Sequence, residues 1–379
     1  MRIAVDNVSP GTSTAAGSKG GMRRYLESLL TEMLEVAPRH HYALMTPDWN
    51  TTFDIPAHPH LEVVPLHAVP HGRVGRVLYE RTAYPAAIRR SGCDVFLGLC
   101  NTLPPGLRVP SVVVIQSTQF QFVPEAYGFL HRSYLRLGVA KAVRAADAVI
   151  TVSEHSRQDV IGWLGTDPEK VHAIHHGVFF SPDQSSDPPA PGARPYILCV
   201  SAFYPYKNLF RLIDAFRLMK QDGLPHALII VGSETSEVTR DALSRHAEAL
   251  GVGNAVELPG RVSQEALADF YRGADVFAMP SLYETFGLPV IEAMALGCPV
   301  VAARASSLPE VVGDAAELVD PLSPESIARG LIAVVTDADR RAELVRLGKE
   351  RVNAFSWRKA AQQTLEVLET VAAQRNITC

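Results

Sequence analysis

The chain has 379 residues, 47 % of them hydrophobic and 20 % charged, with 36 Lys plus Arg against 40 Asp plus Glu for a net charge of −4. This composition excludes intrinsic disorder and a collagen-like fibre, and the length predicts two domains. Residues 1–193 hold 17 basic and 17 acidic side chains, so the remainder carries the acidic excess, neither half shows a nucleic-acid binder's basic surplus, and no nucleic-acid partner is expected.

In chain order, Met1-Arg2-Ile3-Ala4-Val5-Asp6 reads as a first strand, because a signal peptide would need a longer apolar run. A glycine-rich turn, Gly17-Ser18-Lys19-Gly20-Gly21-Met22, precedes a helix pattern over 21–36. Between Arg73 and Arg90, five arginines (Arg73, Arg76, Arg81, Arg89, Arg90) face only Glu80. Such a segment is either a solvated helix face or a patch for lipid phosphate at a membrane surface. Strand-like runs at 111–115 and 148–152 alternate with helix patterns over 127–146 and 154–164. Residues 181–195 are rich in Pro and small polar residues, as expected of a linker. Beyond it, strands at 196–200, 227–231, 255–258, 275–279 and 298–302 alternate with helix patterns over 208–221, 237–250, 263–272 and 324–336. A last helix pattern starts at Trp357. Apolar runs without alternation suit strands covered on both faces, so the expected fold is α/β with two Rossmann-like, doubly wound parallel-sheet domains. Ligands then bind beyond the carboxyl ends of the strands, in a central cleft that the two domains face.

No run approaches the ~18 apolar residues of a membrane span, which predicts a cytoplasmic protein, in contact at most with the membrane's inner face. The five cysteines are odd in number and lack CxxC spacing, so buried reduced thiols are expected and no metal site. Asp337-Ala338-Asp339 joins two helix patterns and reads as capping or turn chemistry.

The most informative stretch is Pro280-Ser281-Leu282-Tyr283-Glu284-Thr285-Phe286-Gly287-Leu288-Pro289-Val290-Ile291-Glu292-Ala293-Met294-Ala295-Leu296-Gly297. A helix beginning at Pro289 and ending before Gly297 leaves the amides of Phe286, Gly287 and Leu288 at its open end. Those donors and the helix dipole favour an anion, while Glu284 and Glu292 suit sugar hydroxyls. The competing reading makes Ser281-x-x-Glu284 a capping box and Glu292 a residue that merely favours a helix N-terminus.

Two glutamates eight residues apart around Phe-Gly-Leu-Pro, followed by Glu-Ala-Met-Ala-x-Gly-x-Pro-Val-Val, resemble the signature of GT-B retaining glycosyltransferases of family 4. The resemblance spans nearly the whole chain. It includes Ser307-Leu308-Pro309-Glu310-Val311-Val312-Gly313-Asp314-Ala315-Ala316, Lys207-Asn208-Leu209, Ala145-Ala146-Asp147-Ala148-Val149-Ile150-Thr151-Val152-Ser153-Glu154, and His176-Gly177-Val178. It implies an acceptor-binding domain over 1–185, a nucleotide-sugar-binding domain over 194–356, and a final helix, 357–379, that crosses back toward the first domain. It also implies a metal-independent hexosyl transfer with retention, in which the leaving diphosphate helps deprotonate the acceptor. No cofactor is implied beyond a nucleotide diphosphate sugar as co-substrate, of the GDP-mannose or UDP-sugar type.

By the same resemblance, Glu284 and Lys207 are the catalytic pair: Lys207 neutralises the departing diphosphate, while Glu284 and the amides of Phe286, Gly287 and Leu288 hold the sugar and its phosphate. Glu292 holds the ribose, Arg261 and Val262 touch the nucleobase, and Gly20 and Gly21 belong to a phosphate-approaching loop. Gln116 and Ser117 occupy the acceptor or sugar-phosphate region. Three departures from the family pattern stand out. Gln116 replaces a histidine and cannot carry a proton near neutral pH. Ser201 and Tyr206 replace a glycine and an arginine, so a diphosphate cation is missing unless Arg261 or Arg304 substitutes. The first glycine loop is also longer than usual. The acceptor expected first is a growing polysaccharide or lipid-linked glycan, with a small secondary metabolite as the alternative. Rivals of another class are a sugar-nucleotide epimerase and a non-catalytic nucleotide-sugar-binding protein.

Overall fold

A computed structural model describes residues 1–8, 21–50, 52–180 and 194–377. The linker residues 181–193, Gly20 and Cys379 lie outside the described residues. Two compact units emerge: Met1–Thr118 with Phe129–Gly177 and Ser356–Cys379, and Gln119–Gly128 with Val178–Phe355.

The first unit is built on seven parallel strands: β1 (Arg2–Asp6), β2 (His41–Pro47), β3 (Leu61–Leu66), β4 (Val95–Gly98), β5 (Ser111–Ile115), β6 (Ala148–Thr151) and β7 (Val171–Ala173), in the order β3-β2-β1-β4-β5-β6-β7. The second carries six: β8 (Tyr196–Val200), β9 (Ala227–Val231), β10 (Val256–Gly260), β11 (Val276–Met279), β12 (Val300–Ala303) and β13 (Ala316–Val319), in the order β10-β9-β8-β11-β12-β13, again all parallel. Helices of the first half are α1 (Gly21–Val36), α2 (Arg73–Thr82), α3 (Tyr84–Arg90), α4 (Gln119–Phe122), α5 (Phe129–Ala145) and α6 (Glu154–Leu164). Those of the second are α7 (Leu209–Gln221), α8 (Arg240–Ala249), α9 (Gln264–Gly273), α10 (Leu288–Ala295), α11 (Leu308–Val312), α12 (Pro324–Thr336), α13 (Ala338–Val352) and α14 (Trp357–Ile377).

The central strands of the second sheet are apolar on both faces because that sheet is covered on both. In β8, Ile197 and Cys199 enter one buried cluster with α7 and α12, while Leu198 enters another with α9 and α10. Helix starts are fixed by local polar chemistry: Ser153, Thr239, Ser263, Ser323 and Asp337 each accept from a first-turn amide. Asp337 thus caps α13, in keeping with the capping expected of Asp337-Ala338-Asp339. Cys93, Cys100, Cys199 and Cys298 are free thiols. Among the described residues, no helix is long and apolar enough to cross a membrane.

The last helix, α14, belongs to the first unit. Its opening Trp357 packs against Gly177, where an added Cβ would fall within 2.4 Å of the tryptophan, and rings with Tyr25 (5.5 Å) and His176 (5.8 Å). In the opposite exchange, Gln119–Gly128 joins the second unit, where Val123 and Ala126 are buried with Tyr206 and Tyr283.

Candidate active site

In the second sheet the strand order reverses between β8 and β11. Loops leaving the carboxyl ends of these neighbouring strands diverge, which opens a crevice there. Lys207 and Glu284 sit on those two loops. Lys207 ends a single 3₁₀ turn, Pro205–Lys207, just past β8. Asn208 follows at φ 63°, a left-handed geometry that asparagine tolerates, and its Nδ2 donates to the carbonyls of Pro280 (2.9 Å) and Pro321 (2.7 Å). The Leu282 amide donates to the Tyr206 carbonyl at 2.8 Å, tying the two loops together. Lys207 Nζ then donates to Glu284 Oε1 at 2.6 Å, with the side chains 14 % and 6 % exposed.

The loop after β11 is braced from below by two serines to which the sequence assigned no role. Ser306 Oγ accepts the Glu284 amide at 2.8 Å, and Ser307 Oγ donates to the carbonyls of Glu284 (3.0 Å) and Phe286 (3.1 Å). Gly287 turns the chain into α10 at φ 101°, and a Cβ there would meet Leu308 Cδ2 at 2.7 Å. Leu288, rather than the expected Pro289, is the first helical residue, with Pro289 second. The capping-box alternative does not hold: the N-cap is Gly287, without a side-chain cap, and the Glu284 carboxylate is engaged by Lys207. Phe286, Gly287 and Leu288 stand at this helix end, where amides have no acceptor within the helix. Phe286 is buried edge-on against Phe355 at 5.6 Å.

Glu292 is the fifth residue of α10 and therefore lies in its second turn. It is 4 % exposed and its Oε2 accepts from the Tyr271 hydroxyl at 3.1 Å. Burial, and then this carboxylate, push the Tyr271 phenol well above its ordinary pKa. Tyr271 keeps its proton and stays a donor.

Tyr206, in place of the family's arginine, is buried; its ring stacks on Tyr204 (5.4 Å, 9°) and underlies Lys207 Nζ at 5.3 Å. It presents a π face to the lysine instead of a second positive charge. Neither Arg261 nor Arg304 is drawn to the pair. Both are exposed, and no ion pair among the described residues includes either. Arg261 directly follows the last residue of β10, and Val262 packs partly buried against the core.

The first unit holds the other candidates. The Gln116 and Ser117 amides donate to Asn101 Oδ1 at 2.7 and 3.3 Å. Gln116 Oε1 accepts from His176 Nε2 at 3.1 Å, beside Tyr25, whose ring lies 4.9 Å from the imidazole. Burial, with a smaller effect from His175, pushes His176 down to about 3, so the ring is neutral at physiological pH. Gly21 is exposed at the start of α1.

The C-terminal half, residues 181–351, matches the profile of glycosyl transferases group 1, and residues 19–179 match that of glycosyltransferase family 4. The chain belongs to the GT-B glycosyltransferases of family 4. A mannosyltransferase of Mycolicibacterium hassiacum, the MMP alpha-(1->4)-mannosyltransferase, is 32 % identical over 259 residues, covering 65 % of this chain and 58 % of that protein. A D-inositol 3-phosphate glycosyltransferase of Xylanimonas cellulosilytica is 31 % identical over 272 residues, 67 % of this chain and 62 % of the relative. The chain thus spans about three fifths of the length of these relatives. Among solved structures, a sucrose-phosphate synthase of Thermosynechococcus elongatus superposes with a TM-score of 0.78 at 22 % identity, covering 98 % of this chain and 99 % of that one. This GT-B likeness extends through both units and concerns the fold.

Proposed function

We propose that this family 4 member moves a hexosyl unit from a nucleotide diphosphate sugar to an acceptor hydroxyl, with retention and without a metal. The observation that carries the reading is the Lys207–Glu284 contact at the strand-order reversal, beside the open end of α10. A fixed cation beside a helix N-terminus is what a departing diphosphate requires, because the two stabilise charge that grows only as the bond to the sugar breaks. On this reading Lys207 leaves Glu284 for the diphosphate, and Glu284 turns to the hydroxyls of the transferred sugar. Glu292, which accepts from the Tyr271 hydroxyl, takes the ribose, and Arg261 and Val262 border the base. Gln116 leaves no ionisable group at its position. The leaving diphosphate itself then serves as the base for the acceptor, and the protein works by positioning.

Mannosyl and inositol-phosphate glycosyl transfer by relatives supports a hexose donor, GDP-mannose among those to test first, and a hydroxylated glycan or lipid-linked acceptor. The test is a thermal-shift panel of GDP, UDP and their sugars, followed by NMR of the product's anomeric configuration. A ligand at about 100 times its Kd adds about 2.7 kcal/mol of stability, an easily read rise in midpoint. Absence of a shift with any nucleotide, or an inverted product, overturns the proposal. Lys207→Ala is expected chiefly to lower turnover and Glu292→Ala chiefly to weaken donor affinity; wild-type kinetics in both would show the assignment wrong.

A further inference from the structure

The described residues expose ten large apolar side chains, and four of them fall on one helix: Phe129 (79 %), Leu130 (83 %), Tyr134 and Leu137 (62 %) of α5. Leu130, Tyr134, Leu137 and Lys141 are spaced i, i+4, i+7, i+11 and so form one stripe. The buried residues of α5, Val139, Ala142 and Val143, all lie in its second half, and no side chain between Phe129 and Gly138 is buried. The helix therefore anchors by its C-terminal turns while its first turns offer an apolar face outward. Its charge is one-sided as well: Arg132, Arg136, Lys141 and Arg144, with His131, and no Asp or Glu, in a protein of net charge −4.

We propose that α5 is a docking helix that seats the first unit on an anionic lipid surface. Leu130, Tyr134 and Leu137 enter the boundary between headgroups and acyl chains, and Lys141 and Arg144, on the same side of the helix, meet the phosphates. Two features select this occupant. A second copy of the chain would bring two helices of like charge together. An apolar stripe continued by Lys141 and flanked by Arg144, on a helix without a carboxylate, is a pattern that partitions into a negatively charged interface, where burial and attraction add. The basic segment from Arg76 to Arg90 lies in the same unit and exposes Leu78 (63 %), but its buried Tyr84, Ala87 and Ile88 turn α3 inward. The apolar wedge belongs to α5.

The test is co-sedimentation of the full chain with phosphatidylcholine vesicles, with or without about 30 mol % phosphatidylglycerol, across a salt series. It requires no catalysis and stands apart from the transfer reaction. The chain is expected to bind the anionic vesicles, to bind less as salt rises, and to bind neutral vesicles at least about tenfold more weakly. Leu130→Ser with Leu137→Ser is expected to weaken anionic-vesicle binding at least about tenfold at an unchanged thermal midpoint, since both leucines are already exposed. Leu322→Ser, at an equally exposed leucine of the second unit (66 %), is expected to change nothing. No binding to anionic vesicles, equal binding by the double variant, or a dimer that the double variant dissociates would each overturn the proposal.

Discussion

The Lys207–Glu284 pair makes a prediction whose size follows from its geometry. At 2.6 Å and an effective dielectric near ~20, the attraction is about 6 kcal/mol. Desolvation of two largely buried ions costs several kcal/mol each, so the pair as a whole contributes little net stability. Removing one partner is different, because the other charge then stays in the protein uncompensated. Lys207→Met and Glu284→Gln are each expected to destabilise the fold by about 3 kcal/mol. The double variant is expected to fall short of their sum by about 2 to 4 kcal/mol. Urea unfolding of the four proteins at pH 7 measures the cycle. Additivity within about 0.5 kcal/mol would show that the two side chains do not depend on each other. The same variants separate the proposed roles. Glu284→Gln releases Lys207, so a free nucleotide diphosphate is expected to bind as well as to wild type or better, while Lys207→Met binds it at least about tenfold more weakly. Equal weakening by both would refute the division of labour between diphosphate and sugar.

Three further expectations rest on single contacts. Tyr271→Phe takes away the hydroxyl that donates to buried Glu292 and is expected to cost about 1 to 3 kcal/mol in urea unfolding, with weakened nucleoside diphosphate binding by calorimetry. His176 is held below its ordinary 6.5, near 3, so the unfolded chain takes up a proton that the folded one refuses. Its contribution to stability is full above about pH 6.5 and declines as pH falls toward 3, a loss of about 2 kcal/mol between pH 7 and pH 5 that His176→Gln is expected to remove. Denaturation at the two pH values reads it. Gly287→Ala combines a left-handed φ of 101° with a Cβ 2.7 Å from the fully buried Leu308 and is expected to cost about 2 to 4 kcal/mol, measured as the shift in urea midpoint.

Much of the fold was legible along the chain because buried parallel strands write themselves as short apolar runs. The runs 111–115, 196–200 and 227–231 coincide with β5, β8 and β9, and helix patterns 21–36, 154–164 and 324–336 with α1, α6 and α12. Other elements left weaker traces. β3 exposes Glu62, Val63 and Pro65 at the sheet edge, so its pattern is not that of a covered strand. β2, His41–Pro47, begins on a histidine and ends on proline, and it reads as strand only once β1 and β3 flank it.

The site divides along the same line. The loop glycine, the helix start and the two glutamates around it are local features of the chain, whereas the roles of Glu284, Glu292 and Lys207 come from the resemblance to family 4. That Lys207 bonds Glu284 across 77 positions, that Ser306 and Ser307 hold the loop beneath it, and that Tyr271 donates to Glu292 were decided by tertiary structure alone. The identities of the parts reside in the chain because each needs only its neighbours' dihedral angles and hydrogen bonds to take shape. Their pairing does not, because it depends on which strands become adjacent at the point where the sheet's order reverses, and adjacency is settled only when the whole core packs.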